Sequence, residues 1–181
     1  RASYVFAGDL NGDGGTSNDL IYIHSNKDEM NFQEYASGGV TFTVQQQKDA
    51  WDAFIEQDEY LSKNRGKYAE RNGVLLPMVF VADFSIAQDV YFNIFNKRNV
   101  VQFRLDILNI GNFLNKEWGV GQSLITTQPL LVPTAAQGGP ADAQGKAQYR
   151  LRSIDGKLID KSLQQTLNVG DVYRIQFGLR Y

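Results

Sequence analysis

The stretch DLNGDGG, Asp9 to Gly15, is where the residue types best suit metal chemistry. Asp9, Asn11, Asp13 and Gly14 match the D-x-[DN]-x-[DN]-G opening of a calcium loop. Oxygens at alternate positions suit a hard cation, and the glycine permits the sharp turn. The twelfth position, which needs a bidentate Glu, is Leu20; Asp19 and Asn18 would have to serve in a different geometry. Two readings therefore stand side by side. One is calcium held by Asp9, Asn11, Asp13 and Asp19. The other, which we prefer, is an Asn/Asp/Gly turn held by side-chain-to-backbone hydrogen bonds.

Catalytic constellations are missing. His24 is the only histidine and no G-x-S-x-G elbow accompanies it, so it reads as a surface or loop residue. Glu56, Asp58 and Glu59 offer carboxylates of the kind used in glycoside hydrolysis, yet they fall within one turn of a predicted helix beside Lys63 and Arg65. A solvated helix face is the better reading, and no enzyme is expected. Trp51, Tyr60, Tyr68 and Trp118 could stack on sugars or other flat ligands; packing loops together is the alternative role. The glycines of AQGGPADAQGK lack the Lys-Ser/Thr of a phosphate loop.

Composition narrows the partners. Eighteen basic against twenty acidic side chains give a net charge of -2, which offers no electrostatic case for nucleic acid. Without cysteine there is no disulfide framework, thiolate zinc site or thiol nucleophile. Nine Tyr, eleven Phe and seventeen Gly lean towards β-structure. No apolar run approaches the ~20 residues of a membrane-spanning helix.

The elements that must carry any function are strands. In VYRIQFGLRY, Tyr173, Ile175, Phe177, Leu179 and Tyr181 fall on one face and Arg174, Gln176, Gly178 and Arg180 on the other. The same alternation sets Phe80, Ala82, Phe84 and Ile86 against Val81, Asp83, Ser85 and Ala87. It also sets Val101, Phe103, Leu105 and Ile107 against Gln102, Arg104 and Asp106, with NIFNKRN short enough for a hairpin between the two runs. An amphipathic strand of a soluble sandwich has this pattern, and so does a membrane strand with an apolar band outside and a polar lumen within. Charges of both signs on the non-apolar faces favour the wet lumen over a packed core. The segments 9–77 and 113–170 are far longer than ordinary connections of ~4–6 residues. The first contains a predicted helix in QQQKDAWDAFIEQDEYLSKNRG, where Ala50, Trp51, Phe54, Ile55 and Tyr60 recur at helical spacing.

Four stretches in order carry a resemblance: GDLNGDGGTSNDLIYI, WDAFIEQDEYLSKNRGKYAERNG, the hairpin from QDVYF through NKRNVVQFRLDILNIGNFLNKEWG, and the closing YRIQFGLRY. Together they resemble the C-terminal end of TonB-dependent outer-membrane receptors. The nearest branch is that of the Bacteroidetes Oar-like or SusC/RagA-like receptors with a carboxypeptidase-regulatory-like domain. The similarity runs from Tyr4 to Tyr181 and is weakest over 119–150. It implies an all-β fold: the C-terminal antiparallel strands of a barrel of ~22 strands with long extracellular loops, one containing a helix. Wall strands are expected near 2–8, 78–93, 98–112 and 171–181, with 9–77 and 113–170 outside and the NKRN turn in the periplasm. The resemblance also implies import of a large nutrient ligand (glycan, peptide or metal chelate), a TonB contact, a plug and a signal peptide in a missing N-terminal portion, outer-membrane lipid around the wall, and in some relatives a surface lipoprotein. The rival is a soluble secreted β-sandwich binding module with a calcium-stiffened loop.

Overall fold

The computed structural model describes all residues, 1–181. The chain forms two compact units. Unit 1 comprises Arg1–Leu76 and Leu124–Gln164, and unit 2 comprises Pro77–Ser123 and Gln165–Tyr181.

Unit 1 is organised by helix α1, Val44–Gln57. Thr43 caps it: Thr43 Oγ1 accepts from the Gln46 N–H, and Gln46 Oε1 accepts from the Thr43 N–H. Gln47, Trp51, Phe54 and Ile55 recur at i, i+4, i+7 and i+8, and this stripe is buried. Trp51 and Phe54 stack with centroids 5.5 Å apart, and Tyr4 meets Phe54 edge-on at 6.3 Å. Phe6, Ile21, Ile23, Leu130 and Leu151 complete the same core from distant parts of the sequence. Asp58 ends α1 and caps helix α2, Glu59–Lys63, accepting from the Tyr60 and Leu61 N–H groups. Its other oxygen accepts the Tyr4 hydroxyl at 2.7 Å.

Gln47 is fully buried and joins three segments. Its amide donates to the carbonyls of Gln33 at 2.8 Å and Phe42 at 3.2 Å, and its Oε1 accepts the Leu151 N–H at 3.0 Å. Around the core the strands are only two or three residues long, in separate pairs such as Tyr22–Ile23 with Lys67–Tyr68 and Leu130–Leu131 with Arg150–Leu151. The two ends of the unit's second segment meet where the Ile125 N–H donates to the Ser162 carbonyl at 2.9 Å.

Unit 2 is a three-stranded antiparallel sheet. Strand β1 is Phe84–Ile94, β2 is Lys97–Leu108 and β3 is Arg174–Arg180, with β2 in the centre. Phe95 and Asn96 form a two-residue turn with φ of 50° and 59°, the type I′ geometry that suits the twist of a hairpin. At the other end Asn109 turns left-handed and its amide donates to the carbonyls of Gly119 and Gly170. Helix α3, Ile110–Leu114, follows.

This corrects the expected fold class. The chain is not an all-β barrel wall: 18% of it is helical and 35% is strand, the sheets are small and separate, and none closes into a barrel. Residues 2–8 form no wall strand. They make only isolated bridges, Ala2 to Val74, Val5 to Leu20 and Ala7 to Leu131, because Tyr4 and Phe6 are needed in the core of unit 1. The residues expected as long loops largely fold onto that core, since they supply its helix and most of its apolar side chains. The regular strands are also shorter than expected: 77–83 forms no strand and β2 ends at Leu108.

Candidate functional site

The register of unit 2 sorts its side chains into two faces. Ile107 of β2 lies between Phe84 and Ile175, Leu105 between Ile86 and Phe177, and Phe103 between Gln88 and Leu179. Val90 and Val101 continue the apolar row towards the turn. This face lies open: Phe103 is 54% exposed, Leu179 71% and Phe177 83%. With Phe84, Ile86, Val90, Ile94, Ile175 and Tyr181, all at least two-fifths exposed, it offers on the order of 900 Å² of apolar surface. That exceeds the ~300–600 Å² of the largest patch on a typical soluble monomer.

The opposite face is a network of charges and amides. Arg104 Nε donates to both oxygens of Asp106, at 3.0 and 2.8 Å, and Ser85 donates to the same carboxylate. Hydrogen bonding to Arg104, then to Ser85, holds the Asp106 carboxyl below its ordinary value. Gln102 donates to Asp89 at 2.9 Å, and Arg98 lies over the Tyr91 ring at 4.3 Å. Beyond the end of the sheet, a groove of about 720 Å³ runs between the extended Pro77–Ala82 segment and α3, with Trp118 on its wall.

Unit 1 carries two smaller hollows. A cleft of about 460 Å³ is lined by Tyr22, Tyr68 and Tyr149 together with Asn11, Asn18 and Asp19. A more open polar cleft contains Asp52, Glu56, Arg65 and Lys27. Asp52 accepts from Arg65 at 2.8 Å and lies 3.3 Å from Nε2 of the buried His24. Burial pushes the His24 pKa below its ordinary value, outweighing the nearby Asp52. Burial also raises the Asp52 carboxyl, but hydrogen bonds to Arg65 and His24 outweigh it and the net shift is downward.

Protein-family models, curated proteins and solved structures yield no match. Function must therefore be argued from these surfaces.

The candidates for ligand stacking separate. Trp51 is fully buried beside Phe54, so it is a core residue rather than a ligand contact. Tyr60 is partly buried, and its hydroxyl accepts the Glu70 N–H at 2.6 Å. Tyr68 and Trp118 remain exposed at 66% and 56%, each beside a hollow of its own unit.

The acidic loop is organised by its own backbone. Asp9 accepts from the Gly12 and Gly14 N–H groups, and Asp13 from the Gly15 N–H and the Asn11 and Asn18 amides. Asp19 accepts from the Leu10 N–H. The Gly15 hydrogen bond, then that of Asn11, lowers the Asp13 pKa. No group of three or more His, Asp or Glu side chains gathers there. The loop has the geometry of the turn reading.

Two further expectations change. His24 is not on the surface; it lies against Trp51 with ring centroids 6.1 Å apart. Asp58 is not on a solvated helix face; it is the buried joint between α1, α2 and Tyr4, and burial with the Asp58 hydrogen bond pushes the Tyr4 phenol far above its ordinary value. Sequence reasoning missed Tyr22 and Tyr149. The cross-strand pairing of Tyr22 with Tyr68 leaves no local signal, and Tyr149 comes from a third segment.

Proposed function

We propose that the chain is part of a TonB-dependent outer-membrane transporter that imports a large nutrient ligand. Unit 2 contributes an apolar sheet face that meets lipid, and unit 1 captures the ligand. The single observation that carries this reading is the two-faced register of β1, β2 and β3, with a largely apolar exposed face, broken at Gln88 and Asn99, backed by a hydrogen-bonded charged one. A soluble sandwich would bury that apolar face against a second sheet, and no such sheet covers Phe177 or Leu179.

Dimensions support the reading. The twelve residues of β2 extend ~40 Å at ~3.4 Å each and, tilted by ~40°, rise ~30 Å, the thickness of a hydrocarbon core. Aromatic side chains stand near both ends of the apolar face. Tyr181 stacks with Phe92 towards the turn, and Tyr173 meets Phe113 edge-on at the other end. A two-residue turn closes one end, while the chain leaves for unit 1 from the opposite end. Energy would arrive through TonB at a part of the transporter outside these 181 residues. Nothing in this role makes or breaks a covalent bond.

The test is membrane association. The chain should stay in the membrane pellet through an alkaline carbonate wash and need detergent for extraction. Recovery as a monodisperse soluble particle without detergent would refute the proposal.

A further inference from the structure

The cleft beside the acidic loop has the chemistry of a binding site. Tyr22 and Tyr68 face each other across a strand pair, with rings edge-to-face at 5.4 Å and 61°. Tyr68 keeps most of its ring surface open. Tyr149 is held against Phe6 at 5.5 Å and Phe32 at 6.5 Å, so its ring is fixed in the wall. The hydroxyls of Tyr68 and Tyr149 have no hydrogen-bond partner in the chain, and Asp19 spends only Oδ2, on the Leu10 N–H. The lining therefore offers one open aromatic face, two hydroxyls and one carboxylate oxygen. It contains no Lys or Arg.

We propose that this cleft binds a neutral sugar residue of an extracellular glycan. Its ring stacks on Tyr68, and its hydroxyls hydrogen-bond to Asp19 Oδ1 and the Tyr149 hydroxyl. The proposal deepens the capture role given to unit 1 and rests on that reading. Without a cation the cleft repels phosphorylated or carboxylate-bearing ligands, and Asp19 adds to the repulsion. A quaternary ammonium could lie over the open Tyr68 face, but it has no donor for the free oxygen of Asp19 and no partner for the Tyr149 hydroxyl. A polyhydroxylated ring uses both an apolar face and acceptors at its rim. The volume of about 460 Å³ lies at the small end of ligand pockets, ~300–1,000 Å³, so the cleft takes a short part of a chain rather than all of it.

The experiment is calorimetric titration of the full chain, kept in a polyoxyethylene detergent without sugar headgroups, against cellohexaose, maltohexaose and mannohexaose. At least one should bind. Tyr68→Ala should weaken it about tenfold, the loss of one stacked ring, whereas Tyr68→Phe should stay within about twofold. Asp19→Asn should also weaken binding, and thermal midpoints confirm that each variant is folded. Absence of binding by all three sugars at about 10 mM overturns the proposal, as does undiminished binding by Tyr68→Ala. Preference for phenyltrimethylammonium over every sugar overturns it too. Carbonate extraction of the same chain separates the two ideas. Retention in the membrane without sugar binding overturns this inference alone, and sugar binding by a chain that needs no detergent overturns the transporter alone.

Discussion

Substituting Phe177 by Arg tests the two-faced sheet most directly. Phe177 is 83% exposed, which for a phenylalanine is ~170 Å², or ~4 kcal/mol at ~25 cal/mol per Å² if hydrocarbon covers the ring. Replacing it with a charge on a lipid-facing strand is expected to cost ~2–4 kcal/mol, the more so nearer the midplane. Gln176 is the neighbouring residue on the other face, paired with Asp106. Gln176→Arg would bring a cation to that carboxylate and should change stability by no more than ~1 kcal/mol, in the favourable direction. The assay is guanidinium unfolding of the chain reconstituted in short-chain phosphatidylcholine vesicles, followed by circular dichroism. Phe177→Arg should shift the midpoint strongly downward and Gln176→Arg should not. Equal losses from both variants would refute the reasoning. So would a Phe177→Arg chain that becomes more stable in detergent-free buffer, because the ring would then have faced water.

Other consequences are checked more simply. Gln47→Leu removes hydrogen bonds to the Gln33, Phe42 and Leu151 backbones and leaves buried groups unpaired; it should cost ~2–4 kcal/mol in thermal unfolding, and a cost under ~1 kcal/mol would contradict the junction role. His24 is buried with its pKa below the ordinary 6.5, so the unfolded chain binds the extra proton. Stability should be full above pH 6.5 and fall as pH drops from there towards the lowered folded value, and His24→Gln should flatten that decline in pH-dependent melting curves. Asp9→Ala should destabilise the loop by ~1–2 kcal/mol through loss of its caps on Gly12 and Gly14. Chelator should leave the melting midpoint of the unaltered chain in place, and a drop on chelation would favour the calcium reading of the loop over the turn reading.

The long strands were legible because β3 alternates without a break and β1 and β2 alternate over Phe84–Ala87 and Val101–Ile107, and because the register leaves apolar faces together: Ile86, Leu105 and Phe177 form one row. Alternation failed at residues 2–8. Tyr4 and Phe6 follow the same period, yet they point into the core of unit 1, and period two does not say whether lipid or protein covers an apolar face. The reason for their burial lies far away in sequence, at Asp58 and Phe54. Helix α1 was visible from its spacing, but Trp51, named as a candidate for ligand stacking, belongs to its buried stripe. Of the cleft, Tyr68 was visible as a stacking candidate and Asn11, Asn18 and Asp19 as residues of the acidic loop. Tyr22 and Tyr149 reach it through pairings that short, irregular strands do not advertise.

The bond between the Ile125 N–H and the Ser162 carbonyl bears on the order of folding. β1 and β2 need only a two-residue closure and can zip from Phe95–Asn96 within microseconds. β3 is separated from β2 by the whole excursion from Leu108 to Arg174. Once unit 1 has condensed, Ile125 and Ser162 are pinned together, and the free chain that must still close is less than half as long. Loop-closure entropy makes that shortening worth about 1 kcal/mol. Unit 1 thus acts as a clasp that lowers the entropic cost of adding Arg174–Arg180 to the hairpin.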